Sequence, residues 1–128
     1  MDKTHTILIV EDDALMRASV AGALRGSRVS IIESENGQEG LAIALAKHPD
    51  LIMLDLAMPQ LDGISVIRRL REDAWGKKAN IILLTSIDGS DAVMREVSKH
   101  NPAYCFVKDR VSMDEVAAKA YQLLGISK

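Results

Sequence analysis

Three short stretches with no polar residue constrain this chain more than any other feature: Ile7–Val10 (ILIV), Leu51–Leu54 (LIML) and Ile81–Leu84 (IILL). A strand with one face in water alternates apolar and polar residues; these do not, so each reads as a short strand covered on both faces. Each run also stops abruptly at polar residues: Glu11-Asp12-Asp13 after the first, Asp55 after the second, Thr85-Ser86 after the third. A carboxylate at the end of a buried strand is costly unless a partner offsets its charge or chemistry uses it. Beyond Asp55 the chain turns. Met58-Pro59 demands an extended residue before the proline, and Asp62-Gly63 is a turn signal leading into a helical pattern.

The segments between these strands have helical spacing. Asp13 is a candidate N-cap for a helix with Met16, Val20 and Leu24 on one stripe, closed by Gly26. Val29–Ser34 (VSIIES) is strand-like, but Ser30 and Glu33 interrupt it as they would an edge strand. Gly37–Lys47 is helical with Leu41, Ala44 and Leu45 on its core side, and it ends at His48-Pro49. A third helix, from Ile64 to about Ala74, turns Val66, Ile67 and Leu70 inward and Arg68, Arg69 and Arg71 outward; Trp75 covers its end. Asp88 to about His100 is the weakest helix, with little beyond Val93 and Val97 to bury. Tyr104–Val107 (YCFV) is a fifth strand ending at Lys108, and a capping box, Ser112 with Glu115, opens a last helix along Val116, Ala120, Leu123 and Leu124.

Five strands alternating with five helices imply an α/β fold, a doubly wound parallel sheet with right-handed crossovers. The wholly apolar strands belong in its middle and the second strand at an edge. The known flavodoxin-like order 2-1-3-4-5 satisfies both conditions, although the pattern alone does not derive it. At 128 residues the chain is expected to be a single domain over 1–128, and its stop four residues after Leu124 leaves no output domain in the reading. Sixteen basic and eighteen acidic residues, net −2, lie mixed along the chain, which disfavours nucleic acid or an anionic membrane as partner. Cys105 is the only cysteine and cannot pair internally, in keeping with a reducing, cytoplasmic compartment. No apolar stretch approaches the ~20 residues of a membrane span.

In a parallel sheet all the strand ends named above share one edge. Glu11 and Asp12 then meet Asp55 near the point where the strand order reverses, the place where open sheets bind ligands. Three carboxylates there repel one another unless a cation sits among them. Oxygen ligands with no His or Cys nearby favour a hard ion, and Mg2+ suits a few carboxylates plus water and a phosphoryl group. Lys108 adds a positive charge and Thr85 a hydroxyl. A carboxylate so flanked is set up to attack phosphorus and hold an aspartyl phosphate.

The pieces ILIVEDD, LIMLDLAMPQLDG, IILLTS and FVKD, in this order and spacing, resemble the response-regulator receiver domains of bacterial two-component signalling over about Thr6 to Leu124. The resemblance implies Asp55 as phosphoacceptor and Asp12 as direct Mg2+ ligand. Glu11 would act beside it through water, and Ala57 would lend its backbone carbonyl. Thr85 would be the switch hydroxyl, and Lys108 the lysine that pairs first with the carboxylate and then with the phosphoryl group; Asp13 matches a helix-start position rather than a ligand. The implied partners are a sensor histidine kinase or histidine phosphotransfer protein and a downstream protein target, with the chain a monomer or weak dimer.

Departures from the pattern are informative. Cys105 stands where the family usually has the aromatic half of the switch, so either that half is missing or a bulge lets Tyr104 replace it. Ala57 and Ile87 carry no polar group to orient an attacking water, which implies slow autodephosphorylation. Two other functions compete. An aspartyl-phosphate phosphatase usually wants a second acid two residues after its nucleophile, where this chain has Ala57. An unphosphorylated binding adaptor would have no use for the acids, Thr85 and Lys108. Neither competitor makes the chain's main role that of an enzyme unless the phosphatase holds; a receiver catalyses only its own phosphorylation and dephosphorylation.

Overall fold

A computed structural model describes residues 3–58, 61–85 and 91–127. Pro59, Ser86, Ile87 and Asp88, which figure in the reading above, lie outside the described residues. The strands are β1 (His5–Val10), β2 (Val29–Ser34), β3 (Leu51–Asp55), β4 (Ile81–Thr85) and β5 (Tyr104–Val107); the helices are α1 (Ala14–Leu24), α2 (Gly37–Lys47), α3 (Gly63–Glu72), α4 (Asp91–Ser98) and α5 (Met113–Leu124). The strands form one sheet in the order β2-β1-β3-β4-β5, with every neighbouring pair parallel. Right at its centre, β3 and β4 are buried along their whole length. Edge strand β2, with Ser30 and Glu33 exposed, lies where its polar interruptions put it.

Alternate residues of the central strands feed two cores. Ile7, Ile9, Met53, Ile82, Leu84 and Phe106 pack on one face with Val20 and Leu24 of α1 and Val116, Ala120 and Tyr121 of α5. Leu8, Val10, Ile52, Leu54, Ile81 and Leu83 pack on the other with Leu41 of α2, Val66, Ile67 and Leu70 of α3 and Val97 of α4. Full burial of such side chains contributes about 1.5–3 kcal/mol each, so these runs dominate the favourable side of folding.

The helix ends follow the local chemistry. Asp13 caps α1 by accepting from the Leu15 N–H, Asn36 caps α2, Asp62 caps α3, and Ser112 and Glu115 form the expected reciprocal capping box of α5. Helix α1 ends at Leu24 with Arg25, before Gly26, as its cap, and α3 ends at Glu72 rather than Ala74.

Two expectations about faces need correction. Leu45 was assigned to the core side of α2 but is 38% exposed. Gly40 is the cause: a Cβ there would stand 2.7 Å from Val10, so the helix comes close to β1 at Gly40, with Leu41 and Ala44 buried, and Leu45 falls on its flank. Arg71 was assigned outward but wraps round the end of α3. Its guanidinium donates to the carbonyls of Gly76 (2.6 Å), His100 (2.8 Å), Ala79 (2.9 Å) and Asn101 (3.0 Å). A long aliphatic stem lets the charged head reach carbonyls beyond the end of its own helix. Trp75, just past the end of α3, is partly buried against the second core and stacks on His48, the left-handed cap of α2, at 4.4 Å between ring centroids.

Candidate functional site

The carboxyl ends of β1, β3, β4 and β5 bring the polar residues together. Glu11 directly follows β1, and its N–H donates to the carbonyl of Ser34, which extends the β1–β2 ladder by one residue. Asp55 is the last residue of β3, in register with Leu84, and Thr85 is the last of β4. Lys108 follows β5 and opens a single 3-10 turn, Lys108–Arg110. Among the described residues Glu11 is 0%, Asp55 2% and Thr85 2% exposed, whereas Asp12 faces solvent.

Charge explains the arrangement. The Lys108 Nζ lies 2.6 Å from Glu11 Oε1 and 3.3 Å from Asp55 Oδ2, an ion-paired bridge between two buried carboxylates. One ammonium cannot fully offset two anions. Burial, then the hydrogen bond and negative charge of Glu11, push the Asp55 carboxyl up to about 7, against the opposing pull of Lys108 and of the Ala57 N–H, which donates to Asp55 Oδ1 at 3.2 Å. Burial pulls the Lys108 ammonium down, but the hydrogen bond to Glu11 and the charges of Asp55 and Glu11 outweigh it and leave its pKa raised. One oxygen from each of Glu11, Asp12 and Asp55 lies within 4.8 Å of the others, an all-oxygen cluster able to hold a metal ion. A Cβ on Gly63 would collide with the Asp55 carbonyl, so glycine lets α3 begin against the end of β3, where the Gly63 N–H donates to Leu56 O at 2.9 Å.

The β4–β5 register is unbroken, pairing Ile82 with Tyr104, Leu83 with Cys105, Leu84 with Phe106 and Thr85 with Val107. No bulge intervenes, so alternation puts Cys105 on the same face as Thr85 and Tyr104 on the other. Tyr104 is 43% exposed, with its ring 4.7 Å from that of Phe106 and Lys119 Nζ 4.5 Å from its centroid. Cys105 packs against the α2–α3–α4 core, and its thiol is pushed up by burial. A thiol so raised, partly buried, forms little of the reactive thiolate.

The model of the response regulator receiver domain family matches residues 7–120. The chain belongs to that family. Over 94 residues this receiver is 42% identical to the transcriptional regulatory protein ResD of Bacillus subtilis, a match that covers 72% of this chain and 38% of ResD. Over 82 residues it is 32% identical to protein PilH of Pseudomonas aeruginosa, covering 64% of this chain and 68% of PilH. The receiver thus spans well under half the length of ResD and of KdpE of Escherichia coli, where the covered share is also 38%. In fold it is similar to the chemotaxis response regulator CheY4 of Vibrio cholerae, at TM-score 0.83 and 22% identity over 94% of this chain and 98% of that one.

The receiver's acids, Thr85 and Lys108 all stand at one sheet edge, as strand-end reasoning placed them. Two structural supports of that edge escaped it. Leu61, in the loop from Asp55 to α3, is left-handed at φ 84°, a conformation branched side chains avoid, and its carbonyl lies where Gly37 alone leaves room. Arg17, on α1, reaches back to the backbone of Glu11. Its place one turn past the Asp13 cap was the available signal.

Proposed function

We propose that this receiver accepts a phosphoryl group on Asp55 from a sensor histidine kinase or a histidine phosphotransfer protein, and that the phosphorylated form alters binding of a downstream protein or passes the group on. The observation that carries this reading is the joint position of buried Asp55, the Lys108 ammonium 3.3 Å from it, and the Glu11 and Asp12 oxygens within 4.8 Å. Mg2+ fits the site because every donor is oxygen and because the carboxylates crowd one another enough to raise Asp55. Asp12, Asp55 and the Ala57 carbonyl would hold the ion directly and Glu11 through water. When bound, it supplies charge neutralisation for the phosphoryl oxygens.

The chain's own groups do the rest. An ionised Asp55 oxygen forms the bond to phosphorus as the bond to the donor's leaving group breaks. Lys108 exchanges its contact with Asp55 for one with a phosphoryl oxygen, and the Thr85 hydroxyl donates to another. The switch passes through Thr85 and α4, a helix of eight residues whose only fully buried apolar side chain among the described residues is Val97. Cys105, on the same face as Thr85, is too small to act as a swinging aromatic. Residues 1–128 act as one receiver unit, a monomer or weak dimer in the cytoplasm.

Intact mass after incubation with acetyl phosphate tests the reading. With Mg2+ the wild type is expected to gain one phosphoryl group, and with EDTA, or in Asp55→Asn, none. No gain in wild type under any condition would sink the proposal in favour of an unphosphorylated adaptor.

A further inference from the structure

Asp12 is the exposed member of the acidic cluster, and its side chain makes no hydrogen bond or ion pair recorded among the described residues. It also lies in irregular chain between β1 and α1. Something else must hold its direction if it is to meet Asp55. The ladder does not, because β2 ends at Ser34 and the Glu11 carbonyl has no donor from a further β2 residue. The Arg17 guanidinium takes that place: Nη1 donates to the Glu11 carbonyl at 2.9 Å. This carbonyl belongs to the peptide unit that leads into Asp12, so the bond fixes the plane from which Asp12 departs.

The guanidinium is itself held. Its Nε lies 3.4 Å from Glu33 Oε1 and its Nη2 4.0 Å from Glu35 Oε1, while the Arg17 side chain is only 15% exposed. The Arg17 N–H donates to Asp13 O at 2.9 Å, so the residue is also anchored in the first turn of α1. A planar fork engaged on both sides has little freedom left, which is what a positioning device needs. We infer that Arg17 is a positioning residue for the acidic metal site, acting through the Glu11–Asp12 peptide and not by contact with the ion.

The inference rests on the proposed Mg2+ reading, and its sign separates it from simple electrostatics. Arg17 is a cation close to a cation site. Were charge its whole effect, removing it would tighten Mg2+ binding; loss of positioning weakens binding instead. The experiment measures the Mg2+ dissociation constant of the unphosphorylated protein by calorimetry for wild type, Arg17→Met and Arg17→Lys, with urea unfolding of each. Arg17→Met is expected to bind Mg2+ about 10- to 30-fold more weakly, the lower part of the range seen when partners that orient metal ligands are removed. Arg17→Lys, which keeps the charge but loses the fork, is expected to recover at most part of this. Phosphorylation by acetyl phosphate should need correspondingly more Mg2+ yet reach a similar rate at saturation. An unchanged or tighter constant in Arg17→Met, with wild type binding normally, overturns the positioning role alone. The same weakening in Tyr121→Phe, a variant at the distant α1–α5 contact, also overturns it by showing that destabilisation suffices. If wild type binds no Mg2+, both the metal reading and this inference fall.

Discussion

Replacing Asp55 by asparagine should make the metal-free protein more stable, by an amount that depends on pH in a defined way. In the folded chain the Asp55 carboxyl is pushed up from 3.8 to about 7, chiefly by burial and by Glu11. A raised carboxyl means that the folded state holds a proton that the unfolded state has released. Below pH ~4 both states are protonated and Asp55 costs nothing. Between ~4 and ~7 the penalty grows, and above 7 it is constant. At ~1.4 kcal/mol per pH unit, the gap of about 3 units corresponds to about 4 kcal/mol as an upper limit. Relaxation around the Lys108 bridge reduces it, so a gain of about 2–4 kcal/mol at pH 8 is expected. At pH 5 the gain should be half of that or less. Urea unfolding of both proteins in EDTA at the two pH values reads this directly, since equal m-values would place the change in stability and not in the denatured state. A gain that is the same at pH 5 and pH 8, or a loss at pH 8, would refute the picture of an overcrowded anionic site.

Other consequences are more local. Lys108→Met leaves Glu11 and Asp55 buried without their shared cation and should destabilise the metal-free protein by about 3 kcal/mol above pH 7, by urea unfolding; a change below ~1 kcal/mol would mean that the bridge is not formed in solution. Arg71→Met removes a guanidinium that satisfies four backbone carbonyls and should cost about 2–3 kcal/mol, with faster amide exchange in 76–80 and 99–103; unaltered exchange there would contradict the clamp. With no polar side chain at Ala57 or Ile87, the phosphorylated protein should lose its phosphoryl group over minutes or longer, followed by intact mass, and a half-life of seconds would count against that reasoning.

Much of the fold was legible because three strands are apolar on both faces, a pattern with few alternatives in so short a chain. The interruptions by Ser30 and Glu33 were enough to put β2 at an edge. The site was legible for a related reason: in a parallel sheet the residue after each strand lies on one edge, so Glu11, Asp55, Thr85 and Lys108 could be grouped without coordinates. What stayed hidden depends on geometry that no period encodes. Leu45 lost its core place because Gly40 lets α2 rest on β1 along another line. Arg71 was assigned outward and Arg17 was not singled out at all, yet their long stems carry the charge to backbone carbonyls at the ends of other elements. The choice between Tyr104 and Cys105 needed the β4–β5 register, since one bulge would have reversed the faces.

The most direct test of the central claim is to find the atom that takes the phosphoryl group. After incubation with acetyl phosphate and Mg2+, borohydride reduces an acyl phosphate to the alcohol, and peptide sequencing by mass spectrometry locates the converted residue. The account predicts conversion at Asp55 alone, lost when EDTA replaces Mg2+. Conversion at Asp12 or Asp13, or a phosphoryl group that resists borohydride and maps to a hydroxyl side chain, would contradict it.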